Sequence, residues 1–280
     1  MKIATVILVY GESPHLNESM ASLKLTSAAA GIDNRIIVID NSEDNVGFSG
    51  GNNKGIRKAL SGGAEAVLIL NDDTRVAKSA LPEMIDCLKD NQVGLVAPKI
   101  YFYPGFEFHK DRYKTKERGK IIWYAGGLID WNNCIGVHRG VDEVDNGQYE
   151  VKEKTEFATG CAVLIKREVF EKIGLYDERY FLYLEDLDFS VRARKAGFKI
   201  IYQPKAVVWH KNAQTSGFGS GLHDYFFTRN RLLFGLEYAS VKTKFALIKE
   251  CLRTLIAGSS WKKRGVIDFY LRRFGRGSWI

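Results

Sequence analysis

Cysteine and proline are scarce: four Cys and five Pro in 280 residues. Cys87, Cys134, Cys161 and Cys251 are widely spaced and form no CxxC. That argues against a disulfide framework or a zinc site and suits reduced thiols. No stretch approaches the ~20 apolar residues that a membrane span needs. The apolar run Ile3–Val9 is short and ends in Gly11-Glu12-Ser13-Pro14, without a small-residue cleavage site. It reads as a buried first strand, not a secretory signal, so a cytoplasmic location is expected. The chain also lacks a fixed-period repeat, a GxGxxG and the Lys-Ser/Thr ending of a P-loop, which disfavours dinucleotide-binding and Walker-type sites.

Net positive charge is missing from most of the chain. The net charge is +8, yet Arg229–Ile280 holds 12 Lys and Arg against 3 Asp and Glu, so the remaining 228 residues are near neutral. The basicity belongs to a tail. Within that tail Phe245, Ile248, Leu252 and Leu255 recur at helical spacing among Lys244, Lys249 and Arg253. A second such segment covers Val266–Phe274.

Ahead of the tail, apolar runs alternate with helical patterns. Strands are expected at Ile3–Val9, Arg35–Ile39, Ala66–Leu70 and Val93–Ala97, and helices at His15–Ala30, Ser49–Leu60 and Ser79–Asp90. Near-continuous apolar strands separated by helices predict an α/β fold, a mostly parallel sheet covered on both faces. From Lys99 to about Glu156 the regularity fails; the stretch is aromatic and Gly-rich, a set of hairpins or a long loop. Beyond it come a strand-like run at Phe157–Ile165, helices at Lys166–Ile173 and Leu184–Ala196, and short strands at Lys199–Tyr202 and Ala206–Trp209 on either side of Pro204. Ligands on such sheets bind beyond the carboxyl ends of the strands.

Three strand ends or helix starts carry polar clusters. Asn71-Asp72-Asp73-Thr74 follows the third strand. Adjacent carboxylates repel unless a cation or donor lies between them, so the pair suits a hard divalent ion shared with a phosphate ligand. The same four residues are also a good helix N-cap. The Gly- and Asn-rich stretch Asn45–Gly55 either brings backbone N–H groups close to a ligand or is a loop feeding a helix. Glu185-Asp186-Leu187-Asp188 opens a helix directly after Phe181–Leu184. Acids there are favoured by the helix dipole, and apolar surroundings would also lift a carboxylate towards a useful base. His210 follows a strand, where a structural histidine and a metal ligand are both open readings.

In order along the chain, these pieces resemble glycosyltransferase family 2, which has the GT-A fold, and most nearly its rhamnosyltransferase-like branch. The resemblance runs from Ile3 to about Arg231. It rests on Val38–Ser42, Asn45-Val46-Gly47-Phe48, Gly51–Gly55, Asn71–Thr74, Thr159–Ala162, Gly174–Glu178, Glu185–Arg192 and Trp209-His210. The resemblance implies two halves of a catalytic domain, 1–98 for the nucleotide-sugar and 99–228 for acceptor and catalysis, with a basic helical tail from 229 to 280. It implies a nucleotide pocket from Asp40, Asn45, Gly47, Phe48, Gly51, Asn53 and Asp72, and a metal, Mg²⁺ or Mn²⁺, on Asp73 and His210. Asp186 would be the catalytic base with Glu185 beside it. Gly160, Cys161 and Trp209 would lie where donor sugar and acceptor meet.

The implied reaction is an inverting, metal-dependent hexosyl transfer from a nucleoside-diphosphate sugar, with dTDP-rhamnose favoured over UDP-sugars. The acceptor would be a saccharide or a lipid-linked saccharide, in cell-surface polysaccharide synthesis. A nucleotidyltransferase and a non-catalytic nucleotide-sugar-binding module are the alternatives. The basic tail has three readings: peripheral contact with the inner membrane surface, packing on the catalytic domain, and, least favoured, nucleic-acid binding.

Overall fold

The computed structural model describes residues 1–211 and 219–279. The first half alternates as expected: β1 (Ile3–Val9), α1 (Leu16–Ala29), β2 (Asn34–Asp40), α2 (Gly47–Ser61) and β3 (Ala66–Asn71). β4 (Thr74–Val76), α3 (Ala80–Cys87) and β5 (Val93–Phe102) follow. β1 lies between β2 and β3, parallel to both. It is buried at six of its seven positions, which is why it reads as an unbroken apolar run. Two glycines let α2 lie directly on β1. A Cβ at Gly51 would come within 2.3 Å of Leu8 Cδ1, and one at Gly55 within 2.3 Å of Val6 Cγ1.

The central sheet runs in the order β2-β1-β3-β10-β5-β11-β4, with β10 spanning Ala162–Lys166 and β11 spanning Lys199–His210. Five of these strands are parallel; β10 and β4 run against them. The run at Phe157–Ile165 is therefore an antiparallel central strand that begins at Ala162, five residues later than expected: Phe157 instead bridges Gly127, and Gly160-Cys161 turns the chain into the strand.

Two other expectations change. Lys99–Glu156 is neither one loop nor simple hairpins. β5 continues to Phe102, β6 (Ile122–Tyr124) pairs with its end, β7 (Gly127–Asp130) and β8 (Ile135–His138) form a hairpin, and β9 (Glu153–Lys154) joins β11. Its aromatics mostly fill this insertion: Trp123 packs on His138 and His210, and Trp131 stacks on Phe234. The two short strands around Pro204 are one strand, β11. Proline has no N–H to give the ladder, and a register shift between Gln203 and Val207 absorbs the loss. Past that shift β11 reaches β4, so that His210 sits opposite Thr74.

The second half adds α4 (Arg167–Ile173) and α5 (Glu185–Lys195), then α6 (Gly221–Tyr238), α7 (Val241–Ala257) and α8 (Ser260–Tyr270). Each of the last three helices is capped by a serine. Ser220, Ser240 and Ser259 accept the backbone N–H groups of His223, Thr243 and Lys262. Position 228/229 lies inside α6, whose Arg229 and Asn230 are fully buried. No helix among the described residues is long and apolar enough to cross a membrane.

Candidate active site

The carboxyl ends of β1, β2 and β3 open into a cleft of about 520 Å³. Asn41, Asn45, Gly47, Phe48, Asn71 and Asp72 line one side of it. Asn41 holds the Asn45 turn, its amide donating to Asn45 Oδ1 and to the Gly47 carbonyl. Gly47 has φ +75°, and a Cβ there would lie 2.3 Å from the Phe181 carbonyl oxygen, so only glycine fits. The opposite side of the cleft comes from later segments: Phe181, Leu182, Leu222 and Trp279. Asp40, which ends β2, is exposed and is not among the residues that line the cleft. Its Oδ1 accepts from the Ser42 N–H and hydroxyl, which holds its carboxyl below the usual range.

Gly51 and Asn53 do not line this cleft. Gly51 is the contact of α2 with β1. Asn53 is buried, donates to the Tyr176 carbonyl and accepts from the Tyr176 N–H, fixing the loop that leads to α5. Trp209 faces elsewhere too. Its Nε1 donates to the Gly119 carbonyl, the Arg75 guanidinium lies 4.4 Å from its ring, and both side chains line a separate cleft with Tyr101.

Asp73 and His210 meet where β4 begins and β11 ends, with His210 Nε2 3.1 Å from Asp73 Oδ1 and both residues buried. Burial alone would lower the imidazole pKa, but the neighbouring Cys161 and the Asp73 carboxylate outweigh it and lift it to about 10. Burial, with the Asp73 charge adding, raises the Asp72 carboxyl. Among the described residues no three His, Cys, Asp or Glu side chains cluster as a metal cage. A carboxylate and an imidazole side by side nevertheless fit Mg²⁺ or Mn²⁺, either of which would displace the proton now shared between Nε2 and Oδ1 and take the rest of its shell from a ligand's phosphates and water.

Asp186 and Glu185 begin α5. Asp186 is half-buried. Its Oδ2 accepts from the Gly160 N–H at 3.0 Å and its Oδ1 from the Leu187 N–H at 2.9 Å. Burial raises its pKa, and these two donors oppose the rise. Glu185 is buried deeper, its Oε2 has no hydrogen-bond partner among the described residues, and burial plus the Asp186 charge drives its carboxyl well above the ordinary range. Asp188 is structural: Arg192 Nε and the Tyr238 hydroxyl each bind it at 2.7 Å.

The Gly160-Cys161 turn joins these parts. A Cβ at Gly160 would lie 2.9 Å from the Phe48 ring, its N–H holds Asp186, and the Cys161 carbonyl accepts from the Asn71 N–H at 2.9 Å. Cleft wall, carboxylate and Asp73–His210 pair are thus linked by two adjacent residues.

Sequence reasoning missed Arg229 and Asn230. The segment before α5 is strained: Phe181, Tyr183 and Leu184 all have φ between +64° and +71°. The Asn230 amide donates to the carbonyls of Tyr180, Leu182 and Tyr183 at 2.7 to 2.9 Å. The Arg229 guanidinium donates to the carbonyls of Arg179, Tyr180 and Gly275. The only sequence signal was a polar Arg-Asn pair inside the apolar pattern of a helix. Trp279 was missed as a cleft residue because a tail's end gives no sign of where it folds back.

The fold is that of the GT-A glycosyltransferases. It is similar to the mannosyltransferase PcManGT from Pyrobaculum calidifontis, solved with GDP-Man and Mn²⁺. That likeness has a TM-score of 0.52 and 12% identity, over 99% of this chain and 87% of that one. Residues 2–231 match the family model "Glycosyltransferase like family 2", and the chain belongs to that family. Its relatives include the low-salt glycan biosynthesis hexosyltransferase Agl10 of Haloferax volcanii, 28% identical over 69% of this chain and 58% of that protein. They also include the N-acetylglucosaminyl-diphospho-decaprenol L-rhamnosyltransferase of Mycobacterium tuberculosis, 42% identical over 21% of this chain and 19% of that one. The matched stretches thus span less than two thirds of these relatives.

Proposed function

We propose that the protein transfers a sugar from a nucleoside diphosphate to a hydroxyl acceptor with inversion at the anomeric carbon. The observation that carries this reading is the Gly160-Cys161 turn: the Gly160 N–H binds Asp186, Gly160 lies against the Phe48 ring of the cleft wall, and the Cys161 side chain lies against His210 of the Asp73–His210 pair. L-Rhamnose from dTDP-rhamnose is the favoured donor and a lipid-linked saccharide at a membrane surface the favoured acceptor; the mycobacterial relative's name supports both the sugar and the lipid carrier.

The nucleotide would occupy the cleft between Asn41–Phe48 and Trp279, with Asp72 at the ribose side. Asp73 and His210 would hold the divalent ion, which when bound supplies Lewis-acid stabilisation of charge on the leaving diphosphate. Asp186 takes the proton from the acceptor hydroxyl as its oxygen bonds to the anomeric carbon and the bond to the diphosphate breaks. Gly160 and Leu187 keep that carboxylate ionised and aimed. A single displacement needs no covalent intermediate, so Glu185 need not touch the sugar.

The test is nucleoside-diphosphate release from dTDP-, UDP- and GDP-sugars with Mn²⁺, Mg²⁺ or EDTA. Release from one donor, abolished by EDTA and restored by added metal, is expected. His210→Ala should raise the metal concentration required, and removal of one of two protein ligands is worth at least about tenfold. Pyrophosphate as the product would indicate nucleotidyl transfer instead. Full activity in EDTA would remove the metal from the reading.

Trp279 offers a separate check. Its ring packs on Trp261 with centroids 4.5 Å apart and borders the cleft. If it covers the bound base, Trp279→Ala should weaken donor binding by roughly one to two orders of magnitude, the range for stacking of a base on an aromatic ring. Titration calorimetry with dTDP and UDP reads this. Unchanged affinity would place the base elsewhere in the cleft.

A further inference from the structure

α7 carries apolar side chains on two opposite sides. The inner side is spent on the fold: Leu247 and Cys251 are buried, Leu247 packs against Gly235 of α6, and Glu250 pairs with Arg231. The outer side faces solvent. Val241, Phe245, Leu252 and Ile256 are 70%, 69%, 61% and 80% exposed. At 3.6 residues per turn these four fall within an arc of about 60°. Ile248 and Leu255, also exposed, widen it on one edge. Lys242, Lys249 and Arg253 follow on the other edge, and Lys244 lies beyond Leu255. An apolar stripe this continuous, rimmed by cations and turned away from the core, is not how a surface helix is normally patterned.

We infer that the outer face of α7 docks on an anionic lipid surface, Phe245, Leu252 and Ile256 entering the acyl boundary while the flanking lysines and Arg253 reach the phosphates. The pattern is that of a helix lying in the bilayer interface: an apolar face of limited width between cationic rows. Charge decides against a second copy as occupant. Two α7 faces brought together would set their cationic rows against each other, whereas anionic headgroups complement them. The tail's concentration of net charge, +9 between Arg229 and Ile280, adds to the attraction. Packing on the catalytic domain, the competing fate for a basic amphipathic helix, is already satisfied by the inner side. The inference deepens the proposed function and rests on it for its purpose: a lipid-linked acceptor is met at the surface that α7 touches. The docking itself does not depend on turnover.

The full chain is tested by co-sedimentation with vesicles of phosphatidylcholine, with and without phosphatidylglycerol. Wild type is expected to pellet with the anionic vesicles. The triple variant Phe245→Ser, Leu252→Ser, Ile256→Ser is expected to lose at least about tenfold in partition while its thermal melt and donor-sugar turnover in solution are kept. Lys242→Glu with Lys249→Glu should remove the preference for phosphatidylglycerol. A triple variant that pellets like wild type overturns the inference. So does a wild type that ignores anionic vesicles, or that sediments as a dimer which the triple variant dissolves. Vesicle binding without nucleoside-diphosphate release would count against the proposed function alone.

Discussion

Asp186→Asn is expected to bind donor and metal as the wild type does and to lose transfer by roughly two to four orders of magnitude, the usual worth of a positioned general base. The substitution keeps the shape of the side chain. It still offers one oxygen to the Gly160 or Leu187 N–H, so the turn and the first turn of α5 should hold. What it removes is the ability to take a proton. Calorimetry for donor affinity and single-turnover kinetics for the chemical step separate the two effects. Transfer at the wild-type rate would assign the base to another group, and loss of donor binding would mean that Asp186 holds the cleft together rather than serving the acceptor.

The same carboxylate sets a pH dependence. Burial raises the pKa of Asp186, and transfer needs the ionised form. Activity should therefore be present above its native pKa and fall as pH drops through it, with the acidic limb above the ordinary aspartate range. Stability moves the other way. Asp186 and Glu185 are both raised in the native state, so the native protein holds their protons more tightly than the unfolded chain. Their contribution to stability is fully present below the ordinary carboxylate values and is lost as pH rises through the native ones. Asp186→Asn removes one of these two contributions, and its denaturation midpoint should accordingly gain on the wild type at the alkaline side.

Legibility in the sequence followed locality. β1, β2, β3, α2 and α5 were readable because each shows a local pattern in a few consecutive residues: apolar runs for the strands, helical spacing after Gly47 for α2, acids at the start of α5. That the α2 glycines serve the contact with β1 was not readable. The order of β10 between β3 and β5 was not readable, because an antiparallel central strand is as apolar as a parallel one. Asn53 and Gly51 belong to a motif whose resemblance suggested nucleotide contact, yet their spacing along α2 turns them towards β1 and the Tyr176 loop. Trp209 and His210 are adjacent in sequence, and strand alternation sends them to opposite faces. A motif of neighbours cannot report that separation. Least legible were contacts from the tail to the site, where Trp279 joins Phe181, Leu182 and Leu222 opposite the wall formed by the carboxyl ends of β1, β2 and β3.

Asn230→Ala should be the most damaging change outside the cleft. The residues from Tyr180 to Leu184 carry the chain from the Asn53-held loop into α5, and three of them sit in left-handed backbone conformations. Each such residue costs on the order of 1–3 kcal/mol and persists only where its surroundings enforce it. The Asn230 amide is that enforcement, bridging the carbonyls of Tyr180, Leu182 and Tyr183. Its loss takes the Asn230 donor from the part-buried carbonyls of Leu182 and Tyr183, while the Tyr180 carbonyl keeps the Arg229 guanidinium and the Leu182 N–H. Each buried group left unsatisfied costs about 1–3 kcal/mol. A destabilisation of roughly 2–4 kcal/mol, read from the denaturant midpoint, is therefore expected. The relaxed segment would also carry Leu184 and the start of α5 with it, taking Asp186 off the line it holds from Gly160. Activity should then fall in kcat more than in KM for the donor, at a temperature where the variant is fully folded. Asn230→Asp sharpens the test, because it keeps the volume and the Arg229 Nε contact while facing the three carbonyls with an acceptor in place of a donor; it should lose kcat as alanine does. If both variants unfold and turn over like the wild type, the strain is being held elsewhere, and Arg229, which grips the Arg179 and Tyr180 carbonyls from the preceding position, becomes the residue to remove.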